Sequence, residues 1–129
     1  MSKPDNKIIF TLSGVVRHGD KIGRKLGYPT LNLEVPKDFP LDLGIYAGFM
    51  EYQKIKYPGV ISVGITPNFA VTKPKLEIHI FDFNQDLYEQ MIKVTFTHYL
   101  RKEKKFPSTE ELIKQIERDC LKARMMYLN

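Results

Sequence analysis

The stretch Leu76 to Phe83, LEIHIFDF, alternates more regularly than any other part of the chain. Leu76, Ile78 and Ile80 fall on one face of an extended segment and Glu77, His79 and Phe81 on the other, because successive side chains of a strand point to opposite sides. The pattern predicts a strand with one buried face. Ile92 to Tyr99 repeats it, placing Ile92, Val94, Phe96 and His98 together. Four further runs rich in β-branched and aromatic residues precede these two: Ile8 to Val16, Leu31 to Val35, the IYAGFMEY run after Gly44, and Gly59 to Ile65. Between them, Pro36 to Leu43 and Thr66 to Lys75 read as loops, Gln53 to Pro58 as a basic hairpin turn and Asn84 to Asp86 as a turn. Six strands at short spacing with no helix between them predict a mainly-β fold, an antiparallel sheet closed into a barrel rather than a βαβ arrangement.

Only the C-terminal segment reads as helix. Ser108-Thr109-Glu110-Glu111 has the spacing of a capping box, and Pro107 stops the chain before it. Leu112, Ile113, Ile116, Cys120, Ala123 and Tyr127 then fall within an arc of about 100°, so one stripe faces the sheet. Glu110 and Glu111 in the first turn, with Lys122 and Arg124 towards the end, complement the helix dipole. This helix is expected to close over the barrel.

A chain of 129 residues with 43% hydrophobic and 27% charged residues is expected to form a single globular domain spanning residues 1–129. No apolar run approaches the ~20 residues that span a bilayer, and the polar segment Met1 to Lys7 does not read as a secretory signal. A single cysteine, Cys120, agrees with a reducing compartment, so a cytoplasmic protein is expected. A net charge of +5 favours anionic partners without choosing among nucleotides, nucleic acid and acidic membrane.

The choice depends on Gly14 to Asn32, GVVRHGDKIGRKLGYPTLN. It combines Gly14, Gly19, Gly23 and Gly27 with Arg17, Lys21, Arg24 and Lys25 and ends in Pro-Thr-x-Asn. Glycines let backbone N–H groups approach a ligand and cations favour a polyanion, so the stretch reads either as a phosphate-binding loop or as a hairpin with a solvated basic tip. Pro29 directs the chain into a strand, where Thr30 and Asn32 share a face. Two neutral oxygen donors beside a phosphate loop suit magnesium, which takes few protein ligands; the other reading is that they end a turn. A P-loop is disfavoured because Asp20 precedes Lys21 and neither Ser nor Thr follows it, and a dinucleotide fingerprint because a strand, not a helix, follows the loop.

His18, His79 and His98 lack zinc-type spacing, and Cys120 has no evident base beside it. Glu77 interrupts an apolar strand. It is either a base for an attacking hydroxyl beside a phosphate site or an outward acid paired with a cation. Leu100 to Phe106, LRKEKKF, is either solvated surface or a rim where Arg101 and Phe106 meet a planar, phosphorylated ligand.

Taken together, these motifs resemble those of the riboflavin kinase family, in particular the C-terminal kinase module of bacterial bifunctional FAD synthetases. The resemblance rests on GVVRHGDKIGRKLGYPTLN, GIYA from Gly44, SVGITPNF from Ser62, LEIHIFDFNQDLY from Leu76 and LRKEKKFPSTEELIKQIERD from Leu100. It implies a six-stranded antiparallel barrel with a C-terminal helix. It also implies transfer of the ATP γ-phosphoryl group to the ribityl 5′-hydroxyl of riboflavin, giving FMN and ADP. By the same resemblance Gly19, Gly23 and Arg24 belong to the loop over the ATP phosphates, Thr30 and Asn32 bind Mg2+ and phosphate, and Glu77 is the catalytic base. Arg101, Lys104 and Phe106 match the segment bordering the flavin.

Three positions depart from the family pattern: Leu31 for alanine, Thr66-Pro67-Asn68 for Asn-Pro-Thr, and Glu89 for a glycine after the tyrosine. The chain starts at a methionine and has no adenylyltransferase motif, so FAD synthesis is not expected of it. The competing expectation is a non-catalytic flavin- or RNA-binding regulatory module that keeps the barrel. The kinase reading expects a monomer acting on small molecules, with neither membrane nor nucleic acid as partner.

Overall fold

The computed structural model describes residues 8–19, 26–64 and 74–128. The expectations for Gly23, Arg24, Ile65 and Thr66-Pro67-Asn68 lie outside these residues. Six strands, β1 (Phe10–Val15), β2 (Leu31–Glu34), β3 (Gly44–Tyr52), β4 (Ile55–Gly64), β5 (Lys75–Ile80) and β6 (Met91–Arg101), precede one long helix, α1 (Thr109–Leu128). The strands form one antiparallel sheet in the order β1-β6-β3-β4-β5-β2. A bridge between Arg17 and Asn32, with the Arg17 N–H donating to the Asn32 carbonyl at 2.8 Å, brings β1 and β2 together and nearly closes the barrel.

The alternation read in LEIHIFDF decides which way each strand faces. Leu76, Ile78 and Ile80 are buried in the barrel, where Leu33 opposes Leu76 across β2 and Ile61 opposes Ile78 across β4. Phe96 is fully buried and meets Phe10, Phe39 and Tyr46 at tilted or edge-on angles. Leu31, one of the family departures, opposes Ile78 and packs against this core.

Two expectations fail for reasons of register. The basic turn is only Gln53-Lys54, both at positive φ (51° and 67°), and β4 begins at Ile55. Pro58 is tolerated in β4 because it lies one residue beyond the last β5 pair, Gly59 with Ile80. In β6, Gly48 opposes Phe96 while Ala47 opposes His98, so Thr97 is an extra residue. This bulge moves His98 off the face of Ile92, Val94 and Phe96 to the outside of the barrel. A second shift, with Tyr46 opposite Tyr99 and Ile45 opposite Arg101, turns Arg101 to the same outer face.

The turn Leu87-Tyr88-Glu89-Gln90 is closed by the Gln90 N–H donating to the Leu87 carbonyl at 2.8 Å. Its third residue, Glu89, has φ 67°, a conformation that favours glycine in a type II turn. The glycine that the resemblance leads one to expect at this position therefore has a backbone reason. Glu89→Gly is expected to stabilise the protein by about 0.5–1 kcal/mol. In a thermal melt this corresponds to a rise of roughly 2–5 °C.

Helix α1 begins as expected, with the Glu111 N–H donating to Ser108 Oγ at 3.2 Å. Ala123 packs on Ala47 and Phe81, seating the helix on the outer face of the sheet. Tyr127, expected in the buried stripe, is 39% exposed and meets Phe49 edge-on; Asp119 is buried in the stripe instead. The last turn holds no cation, and Arg124, one turn earlier, reaches Asp82 at 3.3 Å and lies over the Phe81 ring.

Candidate active site

The outer face of the sheet under α1 carries a row of side chains set by cross-strand register. Asn32 of β2 opposes Glu77 of β5, Glu77 opposes Ser62 of β4, Ser62 opposes Ile45 of β3, and Ile45 opposes Arg101 of β6. Residues directly opposite in an antiparallel pair share a face. Three strand spacings of about 4.8 Å therefore set Glu77 and Arg101 roughly 14 Å apart along the sheet.

Two cavities adjoin at Thr30. The larger, about 310 Å³, lies between sheet and helix and is lined by Glu77, Ser62, His79 and Arg101 from the strands and by Leu112 and Ile116 from α1. The smaller, about 190 Å³, lies by the chain leaving β1 and is lined by Gly19, Asn32, Asp86 and Tyr88 among others. Thr30 borders both. The larger has room for an apolar ring system with a polar group at each end, the smaller for a compact polar one.

Each end is held by identifiable contacts. Arg101 is fixed by Asp119: its Nε donates to Oδ1 at 3.0 Å and its Nη2 to Oδ2 at 2.8 Å, while Gln115 Nε2 donates to Oδ1 at 3.0 Å. The guanidinium also lies 5.8 Å from the Phe106 ring centre, with the Lys104 ammonium 5.5 Å from the same ring. His79 Nδ1 is 2.8 Å from the Pro29 carbonyl, and its ring meets Tyr28 edge-on at 5.3 Å. In the smaller cavity His18 stacks on Tyr88 with ring centres 3.5 Å apart. Gly19 lies so close to Asn32 that a Cβ there would fall 2.3 Å from the side-chain amide nitrogen, hence a residue without a side chain.

Burial pushes the Cys120 thiol up to about 11, reinforced by Asp119 and Glu117 and opposed by Arg124. The thiol therefore stays protonated at neutral pH, in agreement with an inert cysteine. Because the folded value lies above the unfolded one, stability is undiminished below pH 9 and falls as the pH rises towards 11. Alkylation by iodoacetamide is expected to be slow at pH 7.5 and to accelerate above pH 9. An occupant of the larger cavity, which Cys120 lines, is expected to slow it further.

The structure thus brings together Gly19, Thr30, Asn32, Glu77 and Arg101 of the expected residues around two adjoining cavities, with Phe106 and Lys104 beside Arg101. Among the described residues no cluster of three His, Cys, Asp or Glu side chains could hold a metal ion. The donors available are the neutral oxygens of Thr30, which borders both cavities, and of Asn32, which lines the smaller, and they fit a hard cation held mainly by phosphate and water. Sequence reading missed Asp119, although it stands three residues after Ile116 and four before Ala123 on the apolar stripe, where a carboxylate needs a partner. It also left His79 without a role.

The family model for flavokinase, riboflavin kinase, matches residues 7–127. The chain belongs to the riboflavin kinase family. Its relatives include bifunctional riboflavin kinase/FMN adenylyltransferases. That of Buchnera aphidicola subsp. Schizaphis graminum is 42% identical, over 85% of this chain and 36% of its own length. That of Bacillus subtilis is 36% identical, over 93% and 39%. The chain spans a little over a third of the length of these relatives. Among solved structures, a Streptococcus pneumoniae protein described as a macrolide-efflux protein superposes with a TM-score of 0.76 at 35% identity, over 84% of this chain and 36% of that one. Riboflavin kinase from Trypanosoma brucei superposes with a TM-score of 0.66 at 22% identity, over 92% of this chain and 80% of that one, and supports the fold. No helix among the described residues is long and apolar enough to cross a membrane.

Proposed function

We propose that the chain phosphorylates the 5′-hydroxyl of riboflavin with ATP, giving FMN and ADP, and that the reaction takes place where the two cavities meet. The observation that carries this reading is Thr30 in the wall of both cavities, with Glu77 directly across the ladder from Asn32. Riboflavin occupies the larger cavity, its ring system between α1 and the sheet and its ribityl chain running to Glu77. The nucleotide phosphates occupy the smaller one, beneath Gly19 and, by family expectation, Gly23 and Arg24.

Glu77 accepts the proton of the 5′-hydroxyl as that oxygen bonds to the γ-phosphorus, and the bond from phosphorus to the β,γ-bridging oxygen breaks to release ADP. Little else is required of the protein beyond positioning and charge neutralisation. Thr30 and Asn32 would hold magnesium, which would supply neutralisation of the nucleotide's phosphate charge. Arg101, held by Asp119 and backed by Phe106, closes the far end of the riboflavin cavity, with Lys104 on its rim. A single cysteine, which can form no disulfide within the chain, fits a cytoplasmic enzyme.

The test is to incubate the pure chain with riboflavin, ATP and magnesium and to separate flavins by chromatography. FMN formation is expected; flavin binding without FMN would instead favour the non-catalytic module. Thr30→Ala and Asn32→Ala are each expected to weaken MgADP binding at least about tenfold, since a hydrogen-bonding partner to a charged group contributes about 1.5–3 kcal/mol. Calorimetric titration with MgADP measures this, and wild-type affinity in both variants would remove them from the metal site.

A further inference from the structure

We propose that His79 is a positioning residue that fixes the Pro29-Thr30 peptide against β5 through its Nδ1 and thereby sets the Thr30 hydroxyl at the junction of the two cavities; this rests on the role proposed above for Thr30. The hydrogen-bond ladder between β2 and β5 begins at Leu31 with Ile78. Pro29 and Thr30 therefore precede it, and Pro29 has no N–H to contribute. Among the described residues, the hydrogen bond that anchors this dipeptide is the one from His79 Nδ1 to the Pro29 carbonyl at 2.8 Å.

A carbonyl oxygen can only accept, so Nδ1 carries its proton whether the ring is neutral or cationic. His79 therefore donates to Pro29 and serves as a fixed strut. Tyr28 and Phe81 meet the ring edge-on, with centres 5.3 and 6.0 Å away, and hold its plane. In the same strand, Glu77 stands two residues before His79 on the same face. β5 thus carries both the proposed base and the strut that aligns the opposing metal-binding segment, which ties the two halves of the site to one rigid element.

Two substitutions separate the ring nitrogens. In His79→Asn the side-chain amide nitrogen takes the place of Nδ1 and can still donate to Pro29. In His79→Gln it reaches only the place of Nε2. His79→Asn is expected to keep MgADP affinity within about threefold of wild type. His79→Gln is expected to lose about 10- to 100-fold in MgADP affinity, as when a supporting hydrogen bond behind a metal ligand is removed. In a Thr30→Ala background His79→Gln should add less than twofold.

Wild-type behaviour in His79→Gln overturns the proposal. So does rescue by Gln and not by Asn, or equal loss in both, unfolding included, because Asn keeps the contact. MgADP binding is read without turnover, so the two readings can fail separately. A chain that makes no FMN yet loses MgADP affinity only in His79→Gln refutes the reaction and keeps the strut.

Discussion

Glu77→Gln is expected to lower the rate of FMN formation by about 10²- to 10⁴-fold, the range that a positioned general base contributes. Glutamine keeps the shape of the side chain and can still hydrogen-bond the 5′-hydroxyl, but it cannot accept its proton at neutral pH. Riboflavin and MgADP affinities are expected to stay within about threefold, because the loss falls on the transition state and not on ground-state binding. Single-turnover assays with saturating substrates check this. A variant with undiminished turnover would remove Glu77 from the chemistry and leave the site with positioning alone. The position suits a general base, because Glu77 opposes Asn32 on one side and Ser62 on the other, at the end of the larger cavity where Thr30 joins it to the smaller.

Asp119→Ala is expected to destabilise the fold by about 3 kcal/mol and to weaken riboflavin binding. Its carboxylate side chain is only 7% exposed and receives three hydrogen bonds from Arg101 and one from Gln115, while Arg101 is 19% exposed. Removing one partner of a buried pair leaves the other charge uncompensated, which typically costs about 3–5 kcal/mol, with the lower end fitting a guanidinium that keeps some solvent. Denaturant titration reads the stability, and quenching of flavin fluorescence reads the binding. A double variant, Arg101→Met with Asp119→Leu, should recover most of the stability because apolar replacements remove both charges together. It should not recover riboflavin affinity. Recovery of both would mean that the pair supports α1 without shaping the cavity.

Much of this protein was legible in local sequence. The period-two patterns of Leu76 to Ile80 and Ile92 to Phe96 identify strands with one buried face, because a strand's side chains alternate whatever its neighbours do. Ser108 caps α1 through a contact only three residues long. What escaped was long-range. Thr97 and Leu100 have no sequence mark as extra residues, since a bulge exists only relative to a partner, here β3; the first takes His98 off the core face, and the second returns Arg101, a residue the sequence already pointed to, to the outer face that simple alternation from Ile92 gives it. Asp119 reads as one more helix acid until Arg101, eighteen positions earlier, is brought against it. The Glu89 departure can be read as a substitution from sequence, but its positive φ is a property of the turn.

By itself, then, the sequence determined the elements and the residue types of the site: six alternating strands, one capped helix, and a glycine-rich basic stretch ending in Thr30 and Asn32. Those follow from interactions between near neighbours. The tertiary structure decided which strand meets which, and hence that Asn32, Glu77, Ser62, Ile45 and Arg101 form one row beneath α1 and that Thr30 belongs to two cavities at once. The physical reason is register. A slip of one residue turns every side chain of a strand to the opposite face, and the correct register is selected only when all the buried faces fit together in one closed core.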